Sequence, residues 1–216
     1  KMSNHFGGNR FMVQNFNNEF EYFIKELESL KPYLKDFNFK LLIENHQDLN
    51  SHDILFVINK ISPSCIGVNW DIGNSLPTGE TPLQFYNNLR HHIYNIHLKD
   101  YHVNNNNNCI EFFRCVIGSG NIGIKSILST LIKNDYQYSM SIELGAYKQR
   151  ISYIYNEDYW NSYKNYNKKH KINYLDFIDS CFEKFTGSFF DKRNKINKTT
   201  ELLQIEQSID YLKNIN

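Results

Sequence analysis

The feature that most constrains the fold of this 216-residue chain is an alternation of short apolar segments with longer amphipathic ones. The short segments are rich in β-branched and aromatic residues and predict buried strands; they are residues 39–43, 65–71, 93–97 and 138–144. The longer segments carry apolar residues at helical spacing; they are residues 16–31, 50–61, 81–92 and 123–135. Strands that alternate with helices in this way indicate βα units and a parallel sheet.

Local signals set the expected ends of these helices. Pro32 is expected to stop the first helix, because proline lacks the N–H that a helix interior needs. Residues 50–61 begin with side chains that commonly cap helices. Thr81 as the N-cap and Pro82 at the first helical position form a strong start signal for the third helix.

The alternation weakens after Gly145. Residues 146–172 are rich in Tyr, Asn and Lys, and no fifth strand is evident there. The chain is therefore divided into a βα region, residues 1–147, and a partly helical C-terminal extension, residues 148–216.

Two helices are expected within the extension. The first covers residues 173–185, and its inner side carries Leu175, Ile178, Phe182 and Phe185. A polar linker over 190–198 then leads to an amphipathic helix over 199–213.

Composition excludes some classes of partner. The formal net charge is +1, so no strong field favours nucleic acid, and no apolar run is long enough to cross a bilayer. The asparagine run 104–108 is interpreted as an insertion in a solvated loop. The four cysteines form no CxxC pair, and three of them lie in or beside predicted strands as small buried hydrophobes. A reducing, cytoplasmic setting is the expectation.

Each predicted strand ends on a group that can bind a hard metal or move a proton. These groups are Glu44, Asp71, His97 and Glu143. In parallel βα architectures the carboxyl ends of the strands form the active site, so four such groups in succession indicate one site. The competing interpretation is structural: a hydrogen-bonded core histidine and carboxylates in ion pairs.

Three carboxylates and one imidazole form a mostly oxygen ligand set. Such a set suits Mn²⁺, Mg²⁺ or a similar divalent ion better than a soft metal. We expect Mn²⁺, with Mg²⁺, Co²⁺ and Zn²⁺ as alternatives. The sequence therefore predicts a divalent metal site at the carboxyl edge of the sheet.

Five motifs in a fixed order carry a family resemblance: LLIENH, VNWDIGNSL, NIHLKDY, GSGNIGIKSIL and SIEL. Over roughly residues 10–147 the chain resembles the sugar phosphate isomerase/epimerase group of the xylose isomerase-like TIM barrels. The resemblance implies an α/β chain with the (β/α)8 barrel fold. It also implies that Glu44, Asp71, His97 and Glu143 hold the metal, and that the two glutamates act as the acid/base pair on a sugar-like substrate.

The chemistry implied by the resemblance is metal-assisted proton transfer. A divalent ion that chelates a carbonyl and its neighbouring hydroxyl acidifies the C–H between them and stabilises an enediolate. One carboxylate removes the proton, and the other can return one on the opposite face, which isomerises or epimerises the substrate.

Several neighbouring groups are candidates for substrate contact. His46, Asn74 and Lys99 follow the predicted ligands by two or three positions. Ordinary loop hydrogen bonding is the alternative for His46 and Asn74. Asp100 is expected to fix the local loop or a neighbouring cation. Gly118 and Gly120 are expected to permit a tight turn, with phosphate binding as the alternative.

A complete barrel needs eight βα units and about 250 residues, whereas four units are evident here. They match the second half of the family pattern, so a longer chain, a second copy or another partner is expected to complete the barrel. Two other functions remain open: a metal-dependent phosphodiesterase of the apurinic endonuclease type, and a non-catalytic barrel remnant.

Overall fold

The computed structural model describes residues 8–137, 139–144, 149–183 and 198–215. In chain order the strands are β1 (Leu41–Glu44), β2 (Ile66–Asp71), β3 (Ile93–Leu98), β4 (Asp100–Asn106), β5 (Cys109–Cys115), β6 (Ser139–Ile142) and β7 (Arg150–Ser152). The α-helices are α1 (Phe16–Asp36), α2 (Ser51–Ile61), α3 (Pro82–Leu89), α4 (Ile124–Lys133), α5 (Glu157–Asn161), α6 (Lys168–Glu183) and α7 (Lys198–Lys213). Short 3-10 turns cover Arg10–Met12, Gly73–Thr78 and Arg90–His92.

The strands form two sheets. One is parallel, with the order β1-β2-β3-β6, and the other is antiparallel, with the order β4-β5-β7. The four predicted strands are therefore the four strands of the parallel sheet, and none of their ends differs from the prediction by more than two residues. Apolar residues of α2 and α3 contribute to the main core together with β2, including Ile54, Ile58, Val68 and Phe85.

The predicted end of α1 at Pro32 is wrong. The helix continues through Pro32 to Asp36, because proline removes one N–H donor but the next turn still closes, with Phe37 N donating to Tyr33 O at 3.0 Å. Asn38 ends the helix in the left-handed conformation (φ 52°). Phe39 N then donates to Leu34 O at 2.8 Å, which completes a common C-terminal motif.

The start signals of α2 and α3 are confirmed. In α2 the Asn50 side chain accepts from Asp53 N, and the Asp53 carboxylate accepts from Asn50 N. In α3 Thr81 and Gln84 form the same reciprocal capping box, and Pro82 occupies the first helical position.

The asparagine run is part of a β-hairpin, which corrects its interpretation as a loop insertion. Residues 104–106 continue β4 and pair with residues 109–111 of β5. Asn107 takes a positive φ of 45° in the turn, a conformation that asparagine tolerates better than most residues. Period-2 burial along both strands places Val103 and Phe112 in the core.

The C-terminal extension differs from its prediction in two places. A strand follows Gly145 after all, since β7 pairs with β5 and adds a third strand to the antiparallel sheet. Helix α6 begins at Lys168, five residues before its predicted start at 173. The helix predicted over 199–213 is confirmed by α7. Phe185 and residues 190–197 of the predicted linker lie outside the described residues.

Aromatic residues of the extension hold the turn that follows β2. The hydroxyl groups of Tyr174, Tyr159 and Tyr166 donate to the carbonyl oxygens of Leu76, Pro77 and Thr78 at 2.6, 2.7 and 2.8 Å. His170 Nε2 lies 2.7 Å from the next carbonyl oxygen, that of Gly79. The extension therefore packs directly beside the carboxyl end of the parallel sheet.

The cysteines behave as predicted. All four are free thiols with buried side chains: Cys65, Cys109, Cys115 and Cys181. Among the described residues, no helix combines the length and the apolar character needed to cross a membrane.

Candidate metal centre

The parallel register brings the four predicted strand-end groups together. Asp71 and His97 are direct partners across β2 and β3, and Glu44 and Glu143 stand at the ends of the two outer strands of the sheet. One ligand atom from each of these four residues lies within 4.8 Å of the others. Within the described parts of the chain, this is the one group of three or more metal-ligating side chains.

His97 faces two of the carboxylates. Its Nδ1 lies 2.7 Å from Glu143 Oε2 and 3.9 Å from Glu44 Oε2. The hydrogen bond with Glu143 raises the pKa of His97. Burial and the charge of Glu143 raise the pKa of Glu44. Burial alone would raise the pKa of Glu143 as well, but the His97 hydrogen bond and the Lys99 charge lower it to about 2.

Asp71 is fully buried and held from three sides. The Asn45 side chain accepts from Asp71 N at 2.7 Å and donates to Asp71 O at 2.9 Å. Asn74 N donates to Asp71 Oδ1 at 3.1 Å, and Lys99 Nζ donates to Asp71 Oδ2. Burial raises the pKa of Asp71 to about 6, against the opposing charge of Lys99.

Lys99 is also buried, with 5% of its surface exposed. Its Nζ donates to Glu143 Oε1 at 2.8 Å as well as to Asp71. Burial alone would lower the pKa of Lys99, but the neighbouring charge of Asp71 raises it above its ordinary value. The ammonium group is therefore the nearest fixed positive charge to the carboxylate cluster.

The donor set fits a single divalent cation. Two ligand atoms at about 2.1 Å from one ion lie at most about 4.2 Å apart. The four atoms, at up to 4.8 Å, would need to close by only about half an ångström. Glu44 Oε1 is also buried without a hydrogen-bond partner, which is a costly state for a carboxylate oxygen. A cation coordinated there would satisfy it.

The predicted substrate residues lie at the same edge of the sheet. Asn74 is fully buried, and its Oδ1 accepts from Gln47 Nε2 at 3.0 Å. Asn74 Nδ2 and Gln47 Oε1 are buried without hydrogen-bond partners. His46 is half-buried in the loop after β1. Substrate contact by His46, Asn74 and Lys99 stays a prediction.

Asp100 fixes the loop that precedes α4, as its position in the sequence indicated. Its Oδ2 accepts from Gly118 N at 2.9 Å and from Gly120 N at 3.1 Å. A Cβ on residue 120 would lie 2.2 Å from Asp100 Oδ1, so only glycine fits there. The backbone N–H groups of Gly118 and Gly120, the alternative site for a phosphate, thus donate to a carboxylate of the chain itself.

Sequence reasoning missed three residues that shape the centre. They are Asn45, Gln47 and Tyr101, all fully or almost fully buried beside Asp71 or Asn74. Asn45 directly follows Glu44, so its position after a strand end was a usable signal. Tyr101 OH lies 3.4 Å from Gln47 Nε2, a contact between residues 54 positions apart that no local pattern reveals.

The chain is similar to known proteins in family, sequence and structure. A family model described as a xylose isomerase-like TIM barrel matches residues 3–162. The uncharacterized protein YihM of Escherichia coli (strain K12) is 22% identical over 107 residues, which cover 50% of this chain and 33% of YihM. The 3-oxo-isoapionate decarboxylase of Pectobacterium atrosepticum is 22% identical over 119 residues, which cover 54% of this chain and 43% of that enzyme.

A solved structure shows the same fold. The crystal structure of a xylose isomerase domain protein from Planctomyces limnophilus aligns with a TM-score of 0.51 and 17% identity, covering 76% of this chain and 54% of that one. The chain spans less than half the length of the two curated relatives that it matches.

Proposed function

Because this chain belongs to the family of xylose isomerase-like TIM barrels, we propose that it takes part in the divalent-metal-dependent isomerisation or epimerisation of a small sugar, sugar phosphate or polyol derivative. The observation that carries the proposal is the convergence of four side chains from four parallel strands within 4.8 Å. Active sites of this fold draw their residues from the ends of several strands, and a convergence of four such residues on one point is what a metal site needs.

Glu44, Asp71, His97 and Glu143 would hold the ion. Three carboxylate oxygens and one imidazole favour Mn²⁺ or a similar hard divalent ion. When bound, such an ion polarises a carbonyl and an adjacent hydroxyl and so acidifies the C–H between them.

The chain supplies the proton-transfer groups itself. Glu44 and Glu143 come from the ends of β1 and β6, the two outer strands of the parallel sheet. We assign one carboxylate to removing the substrate proton and the other to returning one, the arrangement that inverts a carbon or moves a carbonyl. Their side chains are 28% and 29% exposed, so both are accessible to a ligand.

His46, Asn74 and Lys99 are assigned to orienting the substrate. The unpaired Asn74 Nδ2 offers a donor, and the buried Lys99 offers a charged donor, for hydroxyl or carbonyl oxygens. The decarboxylase relative is compatible with this chemistry, because loss of carbon dioxide from a 3-oxo acid also generates an enolate.

Solvent isotope exchange tests the proposal. The chain with Mn²⁺ in D₂O is expected to exchange a C–H next to the carbonyl of a ketose or ketose phosphate, measured by NMR across a panel of sugars. Glu143→Gln should abolish exchange, whereas Glu28→Gln on the exposed surface should not. A folded chain without measurable Mn²⁺ affinity would contradict the proposal and favour the barrel remnant.

The phosphodiesterase alternative lacks, among the described residues, the additional ligands that it needs. The apurinic endonuclease type uses additional His and Asp ligands for further ions, and the described residues contain one cluster of four ligands.

A further inference from the structure

The ammonium group of Lys99 lies between the carboxylates of two predicted metal ligands, Asp71 and Glu143. Its Nζ donates to Asp71 and, at 2.8 Å, to Glu143 Oε1. The side chain is 6% exposed, so solvent screens these contacts little. The metal-free site is therefore already neutralised in part by a cation of the chain itself.

Most carboxylate oxygens of the site have donors. Asp71 Oδ1 accepts from Asn74 N, and Asp71 Oδ2 accepts from Lys99. Glu143 Oε1 accepts from Lys99, and Glu143 Oε2 lies 2.7 Å from His97 Nδ1. An incoming cation therefore has to share or replace these contacts before it can be coordinated.

The stem of Lys99 is fixed by its surroundings. A Cβ on residue 73 would lie 3.2 Å from Lys99 Cγ and 2.5 Å from the Tyr101 ring, so Gly73 makes room for both. Since Lys99 also stands between β3 and β4, its ammonium group can move only by the swing of its outer carbons. It therefore stays within reach of the site.

The two carboxylates differ in how firmly they hold Lys99. Asp71 is completely buried, and an isolated charge there would be very unfavourable. Glu143 is 29% exposed and has His97 as a second partner. Loss of the Glu143 contact therefore costs less than loss of the Asp71 contact.

We propose that Lys99 is a built-in competitor of the divalent ion: it pairs with Asp71 and Glu143 in the metal-free site, keeps Asp71 when the ion binds, and moves its second contact from Glu143 to an oxygen of the substrate. The inference rests on the proposed function, since it needs a metal at Glu44, Asp71, His97 and Glu143. With neutral His97, three carboxylates and one ammonium sum to −2, which one divalent ion balances. Without Lys99 the sum is −3, so the site attracts the ion more strongly.

Calorimetric titration with Mn²⁺ alone, at one pH and without substrate, tests the competition. Lys99→Met is expected to bind Mn²⁺ roughly tenfold or more tightly than the wild type, because a unit charge a few ångströms away is removed. Lys60→Met, which removes an exposed lysine distant from the site, is expected to leave the affinity unchanged. Equal or weaker binding by Lys99→Met would overturn the inference.

Thermal unfolding tests the same competition if Lys99→Met is too unstable for calorimetry. In EDTA, Lys99→Met should melt at a lower temperature than the wild type, because Asp71 loses its counter-ion. Saturating Mn²⁺ should raise the melting temperature of Lys99→Met by more than it raises that of the wild type. If the variant folds only with Mn²⁺, the concentration that restores folding gives its affinity and decides the comparison in the same way.

Solvent exchange on a sugar substrate separates the inference from the proposed function. Tighter Mn²⁺ binding combined with lost or slowed exchange in Lys99→Met supports both roles of Lys99, since a merely structural residue would weaken both. A wild type that binds Mn²⁺ and catalyses exchange, beside a variant that does not bind more tightly, overturns this inference alone. A wild type and a variant that both fail to bind Mn²⁺ overturn the proposed function with it.

Discussion

The Asn45 side chain holds the backbone of Asp71 by two hydrogen bonds: it accepts from Asp71 N and donates to Asp71 O. Asn45 directly follows β1, and Asp71 is the last residue of β2. Both residues are completely buried. The contact ties the carboxyl ends of two neighbouring strands together and so fixes the position of Glu44 relative to Asp71.

Asn45→Ala is expected to lower the free energy of unfolding by roughly 2–4 kcal/mol, because it leaves two buried backbone groups without partners. The affinity for Mn²⁺ should fall about ten- to a hundredfold, the usual effect of losing an outer partner of a metal ligand. Urea unfolding and calorimetry measure the two effects. Asn134→Ala removes an exposed asparagine with one backbone contact and serves as the control. Equal stability of the two variants would refute the role of Asn45.

Mn²⁺ is expected to stabilise the folded chain. At a hundred times its dissociation constant the gain should be about 2.7 kcal/mol, because the ion binds the folded state alone. His97→Ala should lose most of this gain while remaining folded in EDTA. Exposed His91→Ala should keep it. The prediction fails if Mn²⁺ raises the melting temperature of both variants equally.

The parallel sheet and the four strand-end groups were predictable because both follow from local pattern. A short buried strand can be identified from its β-branched and aromatic residues alone. Once the strand is identified, the position of the residue at its end, such as His97, follows. The start of α3 was also predictable, because Thr81 and Pro82 make their contacts within the first turn of the helix. The position of Glu143 was predictable in the same way, although a long segment separates β6 from β3.

The partners of these groups were not predictable from local pattern. Lys99 contacts Glu143 across 44 positions, and Tyr174 contacts Leu76 across 98. The end of α1 was misplaced because Pro32 is compatible with a helix whose next turn closes without its N–H. The hairpin was missed because a run of asparagines has low strand propensity and is held by its pairing with β5.

Glu80 predicts a pH dependence of stability. It is completely buried, and it accepts from Ser51 N at 2.7 Å and from Ser51 Oγ at 2.5 Å. Burial raises its pKa from 4.5 to about 7, so the folded state binds a proton more tightly than the unfolded state. The contribution to stability is therefore full below pH 4.5 and is lost as the pH rises to about 7.

The difference in the free energy of unfolding between the wild type and Glu80→Gln isolates the contribution of the Glu80 carboxyl group. As the pH rises from 4.5 to 7, the variant should gain about 3 kcal/mol relative to the wild type, from a shift of about 2.5 pKa units. Urea unfolding at a series of pH values measures it. Asp48 and Asp100, whose pKa values burial raises to about 7 and about 6, titrate in both proteins and cancel. Parallel stability curves would contradict the assignment.

The contact between Tyr174 and Leu76 joins the C-terminal extension to the turn that follows Asp71, so we expect the extension to stabilise the metal centre. Tyr174 OH donates to Leu76 O at 2.6 Å, in a turn whose Asn74 N–H donates to Asp71. Tyr174→Phe should lower the free energy of unfolding by about 1–2 kcal/mol, because the buried Leu76 carbonyl loses one of its two donors. Tyr33→Phe, at a site 62% exposed, should change it by less than about 0.5 kcal/mol. Hydrogen exchange should show faster opening at Gly79 N, which bonds to Leu76 O, in Tyr174→Phe alone. If exchange there matches the wild type, the Tyr174 hydroxyl does not hold this turn, and the contacts of Tyr159, Tyr166 and His170 with the same turn are sufficient.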